Sequence, residues 1–399
     1  MTSSFGRLRS IDLLRACAVL SMFSVHLKTE VMANHSSTGA LSFFIDRILG
    51  QLAAPLFCFV LGMSFYYAYQ KSLRSSKAIS PTVSMFLKGF LLYLFGKALI
   101  LCMPYASFFE AGILELMGLA TWCLLLVRSW SNKKLLLMML AILLLTPFLR
   151  EYLEYWEYWE MQGGYFGFVP EHNLTGFLSA QAFVGYFPLF PWVLFSMLGF
   201  FWGRLQEKSG PTYACKVAVS WGIVFILLAS GLSFFHAYVD QESYLSAYFI
   251  GVTFFPASIA YILVMFAVLP ILQSTLYFFL DHRQSKELPQ FIQLFAKYSL
   301  SLYVFHVLLI VWMTDSALLE WYGSFSSSLL PFSWGRMLAY QLLFVPLCLF
   351  CYLGTWLIDR GGGVFSLEYL LRKFIQIRFR RTKASSTTRI KDELPVSSL

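Results

Sequence analysis

About ten runs of apolar residues, each close to the length of a membrane-spanning helix, follow one another along this 399-residue chain. A helix needs roughly 20 predominantly apolar residues to cross the ~30 Å hydrocarbon core of a bilayer. With 58% hydrophobic and only 13% charged residues, the composition excludes an ordinary soluble domain. We therefore predict an all-α fold, a polytopic transmembrane helical bundle. The expected spans are 11–28, 50–69, 84–104, 112–128, 133–149, 183–203, 214–237, 250–273, 294–314 and 336–358.

Basic residues are concentrated in alternate segments between these runs and in the C-terminal tail. Because cytoplasmic segments carry the excess of Lys and Arg, both termini are predicted to lie in the cytoplasm. The same clustering accounts for the net charge of +9 without nucleic-acid binding. We expect residues 1–360 to form the membrane domain and residues 361–399 a basic, partly disordered tail against the inner leaflet. Seven cysteines in or beside apolar runs indicate neither a disulfide framework nor a metal site.

The first apolar run, RSIDLLRACAVLSMFSVHLKTE, carries four polar groups on nearly one helical face, namely Asp12, Arg15, His26 and Glu30. If Arg15 marks the cytoplasmic edge, His26 lies roughly 16 Å deeper, close to the bilayer centre. An imidazole at that depth has two interpretations. It is either hydrogen-bonded for packing or acts as a catalytic base, because histidine changes charge near neutral pH and intramembrane ionisable groups are functional candidates.

Three further polar residues interrupt later apolar runs. His306, in KYSLSLYVFHVLL, is a second imidazole at a depth comparable to that of His26. Lys97 and Glu115 fall in neighbouring antiparallel spans, where pairing would offset the cost of removing each charge from water. We expect these two to form a structural ion pair.

Basic residues and prolines mark two more positions. Lys88 and Arg74, near the cytoplasmic ends of their spans, have side chains that can hold the phosphates of a nucleotide-like ligand, although the positive-inside rule explains them equally well. Pro188 and Pro191 free backbone groups inside the sixth span, which predicts a break that lines a cavity or packs on neighbouring helices.

The longest predicted outer segment, 150–182, begins REYLEYWEYWE, with tyrosines and tryptophans at helical spacing among carboxylates. One interpretation is an interfacial amphipathic helix whose aromatic rings lie at headgroup level. The other is a binding platform, where aromatic faces stack on sugar rings and carboxylates accept hydrogen bonds from hydroxyls.

Several segments, taken in order, resemble two related families of membrane acyltransferases. IDLLRACAVLSMFSVH, with ten residues between Arg15 and His26, resembles the first-span motif of the acyltransferase-3 family. APLFCFVLGMSF and KYSLSLYVFHVLL are similar to the second and a late span of that family. GILELMGLA and YFPLFPWVLFSMLGFFWGR are more similar to the heparan-alpha-glucosaminide N-acetyltransferase-like branch.

The resemblance implies a membrane-embedded enzyme that takes an acyl group, usually acetyl, from cytosolic acetyl-CoA and delivers it to a sugar on the other side. By position, His26 would be its catalytic histidine, Arg15 the motif partner, and Asp12 the acid of the D-x-x-R motif. His35, in NHSSTG, is a rival imidazole. The expected acceptor is a cell-envelope glycan or glycolipid, modified by O-acetylation at a bacterial inner membrane, without a metal ion.

The residues and the resemblance together give a transmembrane acyltransferase in which His26 acts as a general base or carries the acyl group itself. Glu30, one turn further, would orient the imidazole. The residues expected to bind the donor are Lys88, Arg74, Trp192 and His306.

Two other classes of protein are compatible with buried His and acidic groups. A proton-coupled transporter or a flippase for lipid-linked glycans would move its substrate without consuming acyl-CoA. A scaffold for an envelope-synthesis complex would not need the imidazole of His26 for catalysis.

Overall fold

The computed structural model describes residues 8–31, 43–74, 80–103, 107–162, 165–238, 251–283, 287–315 and 333–375. Within them the side chains of 29–31, 161–162, 165–166, 237, 314–315 and 333–342 are not described. The helices are α1 (Arg9–Val31), α2 (Gln51–Leu73), α3 (Pro81–Leu101), α4 (Ile113–Val127), α5 (Asn132–Tyr152), α6 (Leu174–Ser179), α7 (Leu189–Ser209), α8 (Pro211–Phe235), α9 (Ile259–Leu276), α10 (Gln290–Lys297), α11 (Ser299–Asp315), α12 (Ser333–Arg360) and α13 (367–375).

The helices confirm an all-α membrane bundle. Within the described ranges, 7 helices are long and apolar enough to cross a bilayer, and two bent helix pairs raise that number to 9. The short apolar helix α4 supplies the remaining predicted run. The chain is therefore an integral, multi-pass membrane protein.

Two spans are broken, and both breaks matter for the site. The segments Leu174–Val184 and Leu189–Ser209 meet at 43°, where Pro188 caps α7 and Phe190 has non-helical backbone angles. This break confirms the one that the two prolines predict. Helices α10 and α11 meet at 83° around Tyr298, so the ninth predicted span consists of two shorter helices joined at a sharp bend. Broken helices at membrane depth expose backbone groups that side chains must then satisfy.

Helices α2 and α7 approach each other at backbone distance in the bundle core. A Cβ atom added to Gly62 would overlap the carbonyl oxygen of Ser196, and one added to Gly199 would overlap that of Phe59. Small residues that face each other allow two membrane helices to approach at backbone distance, which gains packing that lipid tails cannot provide. This contact fixes α2, the helix that carries Ser64 of the site described below.

Replacing Gly199 by alanine is expected to lower the free energy of unfolding by about 3 kcal/mol, because the new methyl group must push α2 and α7 apart. The midpoint of thermal unfolding in detergent measures the effect. Gly231→Ala, on α8, is the matched control because no atom lies within 4 Å of its added Cβ. An equal midpoint for the two variants would contradict the close helix contact.

The predicted ion pair between Lys97 and Glu115 is confirmed. The Lys97 Nζ lies 3.6 Å from Glu115 Oε1, and both side chains are buried. The same ammonium donates to the backbone carbonyls of Phe108 at 2.9 Å and Glu110 at 2.6 Å. These bonds tie α3 and α4 to their connecting loop, in which burial raises the pKa of Glu110.

Of the two interpretations of the outer segment, the amphipathic helix is wrong beyond Tyr152, where α5 ends. Glu154 has a positive φ of 53°, and a short 3-10 turn leads into a hairpin of β1 (Trp159–Gln162) and antiparallel β2 (Tyr165–Phe168). The indole of Trp159 is buried and donates to the carbonyl of Val184 at 3.1 Å. Its partner lies 25 residues further along the chain, so local helical spacing does not decide this segment's structure.

Candidate active site

The first half of α1 is held by an arginine that contacts two other helices, α2 and α10. The Arg15 guanidinium donates to Ser64 Oγ on α2 at 2.8 Å and to the carbonyl of Ala296 at 3.3 Å, and it lies 3.7 Å from Asp12. Ala296 belongs to the last turn of α10, and its carbonyl has no N–H partner within that helix because α10 ends at Lys297. Arg15 thus satisfies a backbone group at the break before α11.

Helices α1 and α11 run side by side in the same direction. Arg15 contacts Ala296 and His26 contacts His306, so eleven residues along α1 match ten along the partner segment. His26 Nδ1 lies 2.9 Å from His306 Nε2, and the two rings are nearly parallel at 11°. The structure therefore brings together the two imidazoles that the sequence places at equal depth.

The hydrogen bonds of this pair define which nitrogens carry protons. His306 Nδ1 lies 3.2 Å from the carbonyl oxygen of Leu302, and only an N–H can bond to a carbonyl. His306 Nε2 then carries a lone pair and accepts from the Nδ1–H of His26. We assign the remaining nitrogen, His26 Nε2, as an unprotonated lone pair. His306 is fully buried, whereas His26 is exposed, so this basic nitrogen is on the accessible member of the pair.

Aromatic rings surround the buried imidazole. The ring of Phe23 lies 4.8 Å from that of His306, and the Tyr303 ring meets it edge-on at 5.5 Å. Phe23 is itself fully buried. This packing holds the His306 ring in one orientation, which in turn directs the ring of His26.

Two adjoining cavities lead from the end of the bundle where α1 begins toward the histidine pair. The larger cavity, of about 630 Å³, and the smaller and deeper one, of about 120 Å³, share Arg15, Ser64 and Leu92 as lining residues. Tyr303 lines the smaller cavity and touches His306, so the path reaches the edge of the imidazole pair. The charged residues that line the larger cavity are Asp12, Arg15, Lys71, Lys88, Lys297, Glu368 and Arg372.

The other residues predicted to bind the donor lie in different environments. Lys88 lines the larger cavity, and its role in donor binding stays a prediction. Arg74 pairs instead with Glu207 at 3.0 Å and is not among the residues lining either cavity. Trp192 is fully buried in α7, where its indole packs against aromatic rings. The structure thus does not place Arg74 or Trp192 on the path to the histidines.

Two predicted residues lie outside what the structure describes. The backbone of Glu30 belongs to α1, but its side chain is not described, and His35 lies outside the described residues. The roles assigned to them stay predictions. Within the described ranges, no group of three or more His, Cys, Asp or Glu could hold a metal ion.

Sequence reasoning missed several residues that line the path. Ser64 follows Leu61 by one helical turn, and both line the smaller cavity. Tyr303 precedes His306 by three residues, a spacing that places both on one helix face. A polar residue one turn from the candidate His306 was an available signal for Tyr303. Arg372 carried no such signal, because it lies in the predicted tail.

The fold and the site together define a multi-span membrane protein with a deep imidazole pair, which a basic cavity approaches from one end. A comparison with protein families found a match over residues 7–238 to the family described as heparan-alpha-glucosaminide N-acetyltransferase, catalytic. The match covers more than half of the chain, which therefore belongs to this family and is a membrane acetyltransferase. No individual curated protein matched the chain.

The family match includes Arg15 and His26 but ends before His306 and the C-terminal helices. It supports the second of the two resemblances found in the sequence. The likeness to the acyltransferase-3 family stays a resemblance of short segments.

Proposed function

We propose that this protein transfers an acetyl group from cytosolic acetyl-CoA to a cell-envelope glycan or glycolipid on the opposite side of a bacterial inner membrane. The observation that carries the proposal is the His26–His306 pair, in which the exposed His26 holds the basic nitrogen and the buried His306 contacts Tyr303 of the smaller cavity. A proton relay for transport would use the same imidazoles, but membership of an acetyltransferase family favours group transfer over transport.

The charged and the uncharged parts of the donor bind in different cavities. The phosphates of CoA bind in the larger cavity, where Lys71, Lys88 and Lys297 supply cations. Its volume of about 630 Å³ lies within the range of small-molecule sites. The uncharged pantetheine arm enters the smaller cavity past Arg15 and Ser64. This division keeps charged groups at the membrane edge, since taking them to mid-membrane would cost far more free energy.

His26 then acts as the general base. Its Nε2 removes the proton from the acceptor hydroxyl or amine as that oxygen or nitrogen attacks the thioester carbonyl carbon. The carbon–sulfur bond breaks, and the proton held by His26 passes to the departing thiolate. The products are the acetylated acceptor and CoA with a free thiol. His306 accepts the Nδ1–H throughout and so favours the positive charge that forms on His26 in the transition state.

A covalent route uses the same atoms. His26 Nε2 attacks the thioester carbonyl, the sulfur departs, and the Nδ1 proton of the resulting acyl-imidazolium moves to His306, from which it neutralises the thiolate. The acceptor then displaces the acetyl group from Nε2 and returns its proton to the pair. Rapid release of CoA without acceptor, at one equivalent per protein, distinguishes this route from direct transfer.

The test is transfer of radiolabelled acetyl groups by the purified protein in lipid nanodiscs, with envelope glycans and free amino sugars as separate acceptors. We expect label in the glycan fraction, released by mild alkali because an O-acetyl ester hydrolyses and an amide does not. Alkali-stable label would indicate N-acetylation instead of O-acetylation, by an enzyme of the same class. Absence of transfer to any acceptor would contradict the proposed function.

A further inference from the structure

The C-terminal segment forms part of the larger cavity. After α12 the chain turns through Gly362 and Gly363, whose φ angles of 72° and 76° suit glycine, and continues as the short helix α13. On α13, Leu371 and Ile375 pack against α3. The side chains of α13 that line the cavity are Glu368, Leu371, Arg372 and Ile375.

A carboxylate fastens α13 to the first turn of α11. Glu368 Oε1 accepts from the backbone N–H of Leu300 at 2.8 Å and of Ser301 at 3.1 Å. Its Oε2 accepts from the Ser301 hydroxyl at 2.5 Å, and the same hydroxyl accepts from the N–H of Leu367 at 2.9 Å. The first N–H groups of a helix have no partner within it, and a negative charge there is favourable. Docking of α13 is therefore coupled to the helix that carries His306.

Besides Arg15 on α1, four separate elements contribute basic residues to the cavity lining. Lys71 lies on α2, Lys88 on α3, Lys297 at the end of α10, and Arg372 on α13. Arg372 Nε donates to the carbonyl of Glu368 at 3.1 Å, which fixes the guanidinium beside the cavity. A planar guanidinium recognises phosphate through paired N–H donors, which an ammonium cannot do.

We infer that α13 is a wall of the donor site, in which Arg372 binds a phosphate of acyl-CoA and Glu368 is a positioning residue for α11 and His306. The inference rests on the proposed function and extends it to a segment outside the family match, which ends at residue 238. Residues 367–375, which the sequence assigns to the tail, then belong to the donor-binding site of the enzyme.

The substitution Arg372→Gln tests the phosphate contact. We expect the KM for acetyl-CoA to rise about tenfold or more with kcat unchanged, because one charge-assisted contact to the bound donor is lost. S-acetyl-pantetheine lacks the nucleotide and its phosphates, so its kinetics should be the same in both proteins. Lys373→Gln removes the same charge from the neighbouring position, which does not line the cavity, and should change neither donor's KM.

Glu368→Gln and Glu368→Ala test the positioning role. Both variants should lower kcat with acetyl-CoA and with S-acetyl-pantetheine alike, and the glutamine variant should retain more activity because its amide oxygen still accepts from the α11 backbone. An Arg372→Gln effect equal for the two donors, or absent for both, would overturn the inference even if Glu368→Ala fails to fold.

Binding of CoA alone, measured by calorimetry without acceptor, separates this inference from the proposed function. Weaker CoA binding by Arg372→Gln than by wild type supports the α13 wall even if no acetyl transfer is found. Normal transfer together with unchanged CoA binding by Arg372→Gln would reject the wall and leave the proposed function intact.

Discussion

Replacing His26 by alanine is expected to lower kcat for acetyl transfer about 10³-fold, because the variant lacks the nitrogen that removes the acceptor proton. General-base catalysis by a positioned side chain typically contributes 10²- to 10⁴-fold. The KM for acetyl-CoA should change little, since His26 lies beyond the cavity that holds the phosphates. Steady-state kinetics with labelled donor and purified protein give both constants.

His172→Ala is the matched control for His26→Ala. His172 is exposed and lies in the outer segment before α6, with its ring against Phe109 rather than near the cavity. We expect wild-type activity from this variant. Equal CoA binding by wild type and His26→Ala would show that the loss is catalytic and not a loss of fold. Retention of more than a tenth of the activity by His26→Ala would contradict the assignment and make His35 the candidate imidazole.

Replacing His306 by leucine is expected to lower kcat about 10²-fold. Leucine cannot accept the Nδ1–H of His26, so the imidazole loses the partner that fixes its orientation and its protonated nitrogen. His306→Gln offers an amide oxygen as acceptor and should recover part of the activity. KM should stay the same in both variants, because His306 does not line the donor cavities.

A packing role for His306 would give a different pattern. Leucine preserves a buried apolar site better than glutamine does, so a purely structural role would make His306→Gln the less active and less stable variant. Thermal unfolding midpoints and kcat, measured together on the two variants, decide between these roles. A leucine variant as active as wild type would remove His306 from the mechanism.

The span pattern and the depth of both histidines could be read from the sequence because hydropathy and helical rise are local properties. The contact between His26 and His306 could not, since it joins residues 280 positions apart and depends on which helices become neighbours. Equal depth allows the two histidines to meet, but it does not determine that their helices are neighbours.

The sequence does not determine where a side chain points when its direction depends on tertiary packing. Trp192 has the residue type of a cavity wall, yet it faces an aromatic cluster within the bundle. Arg74 belongs to a basic segment, but Glu207 on α7 holds it away from the cavity lining. Helix α13 lies in a polar, basic tail sequence, yet Glu368 binds the start of α11, and Leu371 and Ile375 pack against α3.

We propose that acetyl-CoA from the side where α1 begins reacts at the His26–His306 pair with an acceptor from the other side. The most direct test uses sealed proteoliposomes of one orientation, with labelled acetyl-CoA supplied only at that face and the acceptor enclosed at the opposite face. We predict labelled acceptor on the far side, free CoA on the donor side, and no label with His26→Ala. Transfer only when donor and acceptor share one face would contradict the account.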